Sequence, residues 1–203
     1  QYQKSIGHIY TNEGYKLMSM DPNIKNELVN FWKTFQNNKI TEQKVDLIYN
    51  KSDKYKNITN LLELNKYDNK LFDKVNNYIL QLLKNWTNKT DINHTYTYGI
   101  REYTNGAILD THIDRGYTHI LSAIINIYQD KEWPLIVYNH NNNMESINMT
   151  DKEDLVLYES ATIFHGRPIP FRGNSFANLF VHFKTGDWIE VENKIRDKFN
   201  RDE

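Results

Sequence analysis

Apolar positions along the chain change texture near residue 91. Before it they recur at helical spacing; after it they alternate in short runs. Ile24, Leu28, Phe31 and Phe35 follow Asp21-Pro22, an N-cap residue with proline at the first helical position. That spacing predicts a helix over 22–37 with one apolar face. Asp68, a second N-cap candidate, precedes Leu71, Val75, Tyr78, Ile79, Leu82, Leu83 and Trp86. This pattern predicts a long amphipathic helix that ends in the polar turn 88–91 and packs on a sheet face. Residues 1–20 alternate briefly through Ile6, Ile9, Tyr15 and Leu17 and predict an edge strand. Residues 38–58 are polar and lysine-rich with little periodicity, which predicts a loop with at most a short strand at Val45–Ile48.

Past residue 92, His94–Tyr103 is rich in Thr, Tyr and Ile and alternates as a strand does. Further strands are predicted at Thr118–Tyr128, Trp133–Tyr138, Met144–Met149, Leu155–Tyr158, Thr162–Phe164 and Ser175–Phe183. Short strands separated by turns in this number fit a double-sheet jelly roll. Glu190–Arg201 predicts a charged surface helix anchored by Ile195 and Phe199. The expected fold is therefore α+β: a double-stranded β-helix, or jelly roll, with preceding N-terminal helices packed on the sheet. With no internal repeat and no clear linker, residues 1–203 read as one unit. Within it, 1–91 is mainly helical, 92–185 is the jelly-roll core and 186–203 is the C-terminal helix.

Composition narrows the function classes. Lys plus Arg number 25 against 26 Asp plus Glu, so no broad basic field points to nucleic acid. The chain has 0 cysteines, which excludes a disulfide framework and any thiolate metal site and fits a reducing, cytoplasmic setting. No run reaches the roughly 18 apolar residues of a membrane helix. The opening Gln1-Tyr2-Gln3-Lys4 has no signal-peptide pattern and reads as a trimmed start. Glycosylation sequons, among them those at Asn57, Asn85, Asn93 and Asn148, are what chance supplies in a chain so rich in Asn and Thr. Oligomeric state is not readable.

One constellation carries chemistry. His112 and Asp114 lie two apart in Thr111-His112-Ile113-Asp114, so on an extended segment their side chains point the same way. His165, in Phe164-His165-Gly166-Arg167-Pro168, is a second histidine able to join them from another strand. Two imidazoles and a carboxylate on one octahedral face form the ligand set of a mononuclear iron(II) site. A structural zinc site is more often closed by four protein ligands. The competing reading is a surface His-Asp pair in a salt bridge, since His-x-Asp arises easily by chance. His8, His94, His119, His140 and His182 read as packing or surface residues, with His182 placed to line a barrel by its alternation with Val181 and Phe183.

From Tyr98 to Phe183 the chain resembles the prolyl 4-hydroxylase-like Fe(II)- and 2-oxoglutarate-dependent dioxygenases, in the form found in algal and viral sequences. The matching segments, in order, are Tyr98–Tyr103, Asn105–Leu109, His112–Arg115, Ser122–Asn126, Glu132–Leu135, Leu157–Ser160, His165–Pro168 and Ala177–Phe183. The resemblance implies His112, Asp114 and His165 as catalytic iron ligands and Tyr103 as a residue facing 2-oxoglutarate. Ser122 and Asn126 share one face of the strand after the motif, the inner one. Where the family has a lysine for the far carboxylate of 2-oxoglutarate, counting from His165 gives Ser175, which makes no ion pair. Arg167 and Arg101, and less so Arg172, are the candidate replacements; each also reads as a structural arginine bonded to loop carbonyls. The implied cofactors are Fe(II), 2-oxoglutarate and O2, with ascorbate a candidate reductant. The implied reaction hydroxylates a C–H bond of a peptide, peptidyl proline included, or of a small molecule, releasing succinate and CO2. Residues 38–58, Tyr10 and Tyr15 are lid candidates. The alternatives are a non-catalytic jelly-roll binding domain and a cupin-type metalloprotein that does not use 2-oxoglutarate.

Overall fold

A computed structural model describes residues 1–56 and 58–202. The N-terminal part contains α1 (Tyr2–Ile6), β1 (Tyr15–Met18), α2 (Pro22–Thr34), β2 (Ile40–Thr41), β3 (Ile48–Asn50), β4 (Thr59–Leu62), α3 (Leu64–Tyr67) and α4 (Asn69–Thr87). The strand-rich part contains β5 (Ile92–Tyr96), β6 (Ile100–Tyr103), β7 (Ala107–His112), β8 (Leu121–Gln129) and β9 (Leu135–Tyr138). After these come β10 (Met144–Ile147), β11 (Leu155–Tyr158), β12 (His165–Arg167), β13 (Phe176–Thr185) and α5 (Ile189–Arg201).

Two antiparallel sheets face each other, as expected for a jelly roll. The larger runs β1-β11-β8-β13-β6-β4-β2, with β5 also on β13; the smaller runs β10-β9-β12-β7-β3. The period of two along each strand sorts its residues. On β8 and β13, Leu121, Ala123, Ile125, Leu179, Val181 and Phe183 form one core with Leu28, Phe31 and Trp32 of α2 and Val75, Ile79 and Leu83 of α4. The opposite face of the sheet looks into the barrel, where Ile124, Val156 and Tyr158 pack against Leu135, Val137 and Ile163. The caps behave as their chemistry predicts. Asp21 accepts from the N–H of Asn23 and Ile24, and Asp68 from that of Leu71.

Several expectations are corrected. Residues 38–58 are less loop than their polarity suggests: β2 pairs with β4, and β3 pairs with β7. The first 91 residues thus contribute four strands beside their helices. Asn57, part of that loop and of one sequon, lies outside the described residues. The strand expected over His94–Tyr103 breaks at Gly99, whose φ of 148° and close approach to the Leu62 carbonyl exclude a side chain. The strand expected at Thr162–Phe164 instead begins at His165. On α5 the anchors are Val191 and Ile195, whereas Phe199 is exposed. No helix among the described residues is long and apolar enough to cross a membrane.

The segment leading into β12 is fixed by a buried carboxylate. Glu159, 1% exposed, accepts from the Tyr10 N–H at 2.6 Å, the Thr11 hydroxyl at 2.5 Å and His140 Nε2 at 2.7 Å. This knot ties residues 10–14 to the turn just before His165. Glu159→Ala leaves those donors buried without an acceptor. It is expected to lower unfolding free energy by about 3 kcal/mol, read as a lower midpoint in urea denaturation.

Candidate metal centre

The ligand geometry starts from an irregularity between β7 and β12. His165 pairs with His112 and Arg167 with Leu109, so two steps on β12 match three on β7. The extra residue on β7 is a β-bulge, which shifts the side-chain alternation by one. Leu109 and His112, of opposite parity, consequently both face the barrel cavity with His165 and Arg167. Gly166 sits over the bulge. A Cβ there would lie 2.8 Å from Thr111 Cα and 2.9 Å from the carbonyl oxygens of Leu109 and Asp110.

Asp114 follows β7, its N–H donating to the Ser160 carbonyl at 2.8 Å. Its Oδ1 lies 3.2 Å from His112 Nε2 and 3.3 Å from His165 Nε2. Each imidazole is oriented from behind: His112 Nδ1 donates to the Asp110 carbonyl at 2.6 Å and His165 Nδ1 to the Ile163 carbonyl at 3.0 Å. A carbonyl only accepts, so each ring carries a proton on Nδ1 and turns Nε2 toward Asp114. That is the outer-shell arrangement of metal-binding histidines. The donor atoms lie within 4.8 Å of one another, and two imidazoles with one carboxylate suit iron(II). The Tyr158 ring packs edge-on against His165, with centroids 4.8 Å apart.

Electrostatics follow the same convergence. Burial disfavours the Asp114 carboxylate, but His165, His112 and His182 hold its pKa well below the usual carboxylate range. Burial also opposes charge on His112; hydrogen bonding to Asp114 and the Asp110 carbonyl outweighs it and raises the pKa. His182, whose Nδ1 is 3.8 Å from Asp114 Oδ2, is pushed down to about 3 by burial despite that carboxylate. It is neutral at physiological pH.

The triad opens onto a cavity of about 180 Å³ also lined by Arg101, Tyr103 and Arg167. Tyr103 is fully buried and its hydroxyl has no hydrogen-bond partner among the described residues; burial raises its pKa, against the opposing pull of the nearby Arg101 and Arg167 guanidinium groups. Arg167 is 1% exposed and packs over the rings of Phe176 and Trp133, at 4.6 and 5.0 Å. It donates to the Trp133 carbonyl and, at 3.0 Å, to Asn178 Oδ1 in the amide orientation that satisfies its neighbours. Among the described residues no carboxylate pairs with it, and burial lowers its pKa to about 10. Arg101, by contrast, is held by Glu42 through two hydrogen bonds of 2.8 and 3.0 Å.

The other sequence candidates sort by parity. Ser122 does face inward, its Oγ 2.7 Å from His182 Nδ1. Asn126 shares that face and meets the Asn178 amide at 3.1 Å. Arg172 is exposed, and Ser175 turns outward to donate to Glu102 Oε2 at 2.6 Å; neither lines the cavity. The inward residues of β13 are Phe176, Asn178, Phe180 and His182, so a ring occupies the position where counting sought a cation. A row of rings was also missed. Tyr98 stacks on Tyr96 (5.3 Å), Tyr96 meets His119 (5.6 Å) and His119 stacks on His182 (3.8 Å), running from the surface to Asp114. The alternation of Tyr96 and Tyr98 was visible in sequence, but their approach to His119 depends on β5 pairing with β13.

No family model and no curated protein matches the sequence. Solved structures do match. A Pseudomonas putida prolyl-4-hydroxylase is 12% identical, with 85% of this chain and 93% of that chain covered and a TM-score of 0.58. A Trichoplax adhaerens prolyl hydroxylase in complex with a hypoxia inducible factor peptide fragment is 11% identical, covering 89% and 87%, with a TM-score of 0.61. HygX from Streptomyces hygroscopicus, with nickel and 2-oxoglutarate bound, is 9% identical, covering 86% and 84%, with a TM-score of 0.60. At these identities the likeness shows that the chain shares their fold.

Gly166→Ala should separate β12 from the bulge and spread the three donors. Wild type is expected to gain thermal stability on adding Mn(II), a redox-stable probe. Gly166→Ala and His165→Ala are each expected to lose that gain, with metal affinity down at least tenfold, about what loss of ligand support costs.

Proposed function

We propose that this protein is an Fe(II)- and 2-oxoglutarate-dependent dioxygenase that hydroxylates a C–H bond, with a peptide, peptidyl proline in the first place, as substrate. The observation that carries the reading is one cavity holding the His112-Asp114-His165 donor set, together with a buried guanidinium that has no carboxylate partner, and a tyrosine hydroxyl that has no hydrogen-bond partner, among the described residues. A buried cation without an anion is costly, and a dicarboxylate is the ligand that would complete this one. The fold shared with a 2-oxoglutarate complex supports the same reading.

His112, Asp114 and His165 would hold iron through Nε2, a carboxylate oxygen and Nε2. Bound iron supplies the coupling of O2 reduction to oxidative decarboxylation of 2-oxoglutarate, which yields succinate, CO2 and the hydroxylated product. The protein's own contribution is placement. Arg167, set by Phe176, Trp133 and Asn178, would receive the far carboxylate with its remaining N–H groups, and the Tyr103 hydroxyl would donate to the same group. Leu109, Ile124, Leu135 and Phe180 line the cavity and keep bulk water from it. Of the lining residues Tyr98 is exposed, His119 is half-buried and His182 is buried. The aromatic faces of Tyr98 and His119 suit the C–H-rich edge of a prolyl ring, and a structural neighbour in complex with a peptide supports a peptide substrate.

Succinate formation from 2-oxoglutarate with Fe(II), with and without proline-containing peptides, tests the reading; no turnover and no stabilisation by Fe(II) plus 2-oxoglutarate would overturn it. Metal binding without any effect of 2-oxoglutarate would favour the cupin-type alternative. Arg167→Met is expected to weaken 2-oxoglutarate binding by about 10- to 100-fold, the scale of hydrogen bonds to a charged group. Ser175→Ala is expected to leave it within twofold, both read from the KM for 2-oxoglutarate.

A further inference from the structure

Helix α1 has no buried residue and no side-chain cap, and at five residues it is too short to be stable by itself. One of its side chains nevertheless reaches the metal centre. Gln3 Nε2 donates to the Asp114 carbonyl at 2.7 Å and to the Ala161 carbonyl at 2.8 Å, while its Oε1 accepts from the Gly116 N–H at 3.0 Å. Both N–H groups and the carbonyl of the amide are therefore engaged.

The three partners are not arbitrary. Asp114 and Gly116 belong to the turn that delivers the carboxylate ligand, and Ala161 belongs to the turn that leads into His165. The Asp114 N–H is already tied to the Ser160 carbonyl at 2.8 Å, so with Gln3 in place both polar backbone groups of Asp114 are fixed to the same neighbouring turn. Asp114 has no regular strand to hold it, since β7 ends at His112. Its Oδ1 must still sit midway between two imidazoles, 3.2 and 3.3 Å away.

We propose that Gln3 is a positioning residue of the metal centre: its amide clamps the Asp114 turn to the 160–162 turn and so sets the carboxylate between the two histidines. This rests on the metal-site reading above. Other polar contacts of α1 stay at the surface, such as Ser5 Oγ donating to the Tyr2 carbonyl at 2.7 Å, and provide an internal control.

The test is Co(II) titration of the purified protein, followed by the visible absorption of the bound ion, with folding checked by circular dichroism. Gln3→Met keeps the length of the side chain and removes all three hydrogen bonds. Gly116→Ala attacks the clamp from the other side, because its Cβ would lie 2.7 Å from Gln3 Oε1 and 2.8 Å from Gln3 Cδ. Both variants are expected to raise the Co(II) Kd about tenfold and to change the absorption band, while Ser5→Ala stays within twofold of wild type. A Gln3→Met Kd within twofold of wild type would overturn the proposal, as would an equal loss in Ser5→Ala, which would mark a general loosening. Failure of the wild type itself to bind Co(II) would overturn the metal-site reading and the proposal with it.

Discussion

The extra residue in β7 opposite β12 is the constraint on which the rest of the site depends. Without it, strict alternation would send either Leu109 or His112 out of the barrel. With it, His112, His165 and Arg167 look into one space. The bulge needs close backbone contact, and Gly166 is what permits that contact. The Glu159 knot then fixes the turn from which β12 departs. Position and orientation of the candidate ligands thus trace to one irregular pairing and its supports.

Charge is arranged along the same cavity. The Asp114 carboxylate lies among histidines, and a guanidinium with no carboxylate partner among the described residues lies among Trp133, Phe176 and Asn178. The barrel tolerates this buried cation because two aromatic faces, a carbonyl and an amide oxygen share its hydrogen-bonding and electrostatic demands. Arg101 shows the contrasting solution, a bidentate pair with Glu42 that satisfies it within the protein. Two arginines on one cavity therefore have different capacities for a ligand.

Features set by local spacing were legible in the sequence. Asp21-Pro22 and Asp68 cap the helices they were expected to cap, the strands of the core fall near the alternating runs, and the His-x-Asp and distant His converge. Features set by pairing between distant strands were not. Counting from His165 gave Ser175 where parity gives Phe176, because a single residue's error reverses a strand's faces. The bulge, and with it the shared direction of Leu109 and His112, has no signature in β7 alone. Strands β2, β3 and β4 are short, and they are strands because β4, β7 and β6, respectively, offer them partners. Gln3 lies in a segment without periodicity, and its contacts appear only when three separate turns meet.

The separation of the ligands along the chain has a consequence for assembly. Before folding, His112 and Asp114 are neighbours but His165 is far away, and nothing holds it near until β12 docks on β7. An unfolded chain therefore offers a metal ion two donors at most from this set, and the folded chain three. An ion that distinguishes the two states in this way draws the equilibrium toward the native one, by an amount that grows with its free concentration. The ligand set acts as a checkpoint on the smaller sheet, completed only by chains in which β12 has paired with β7 in register.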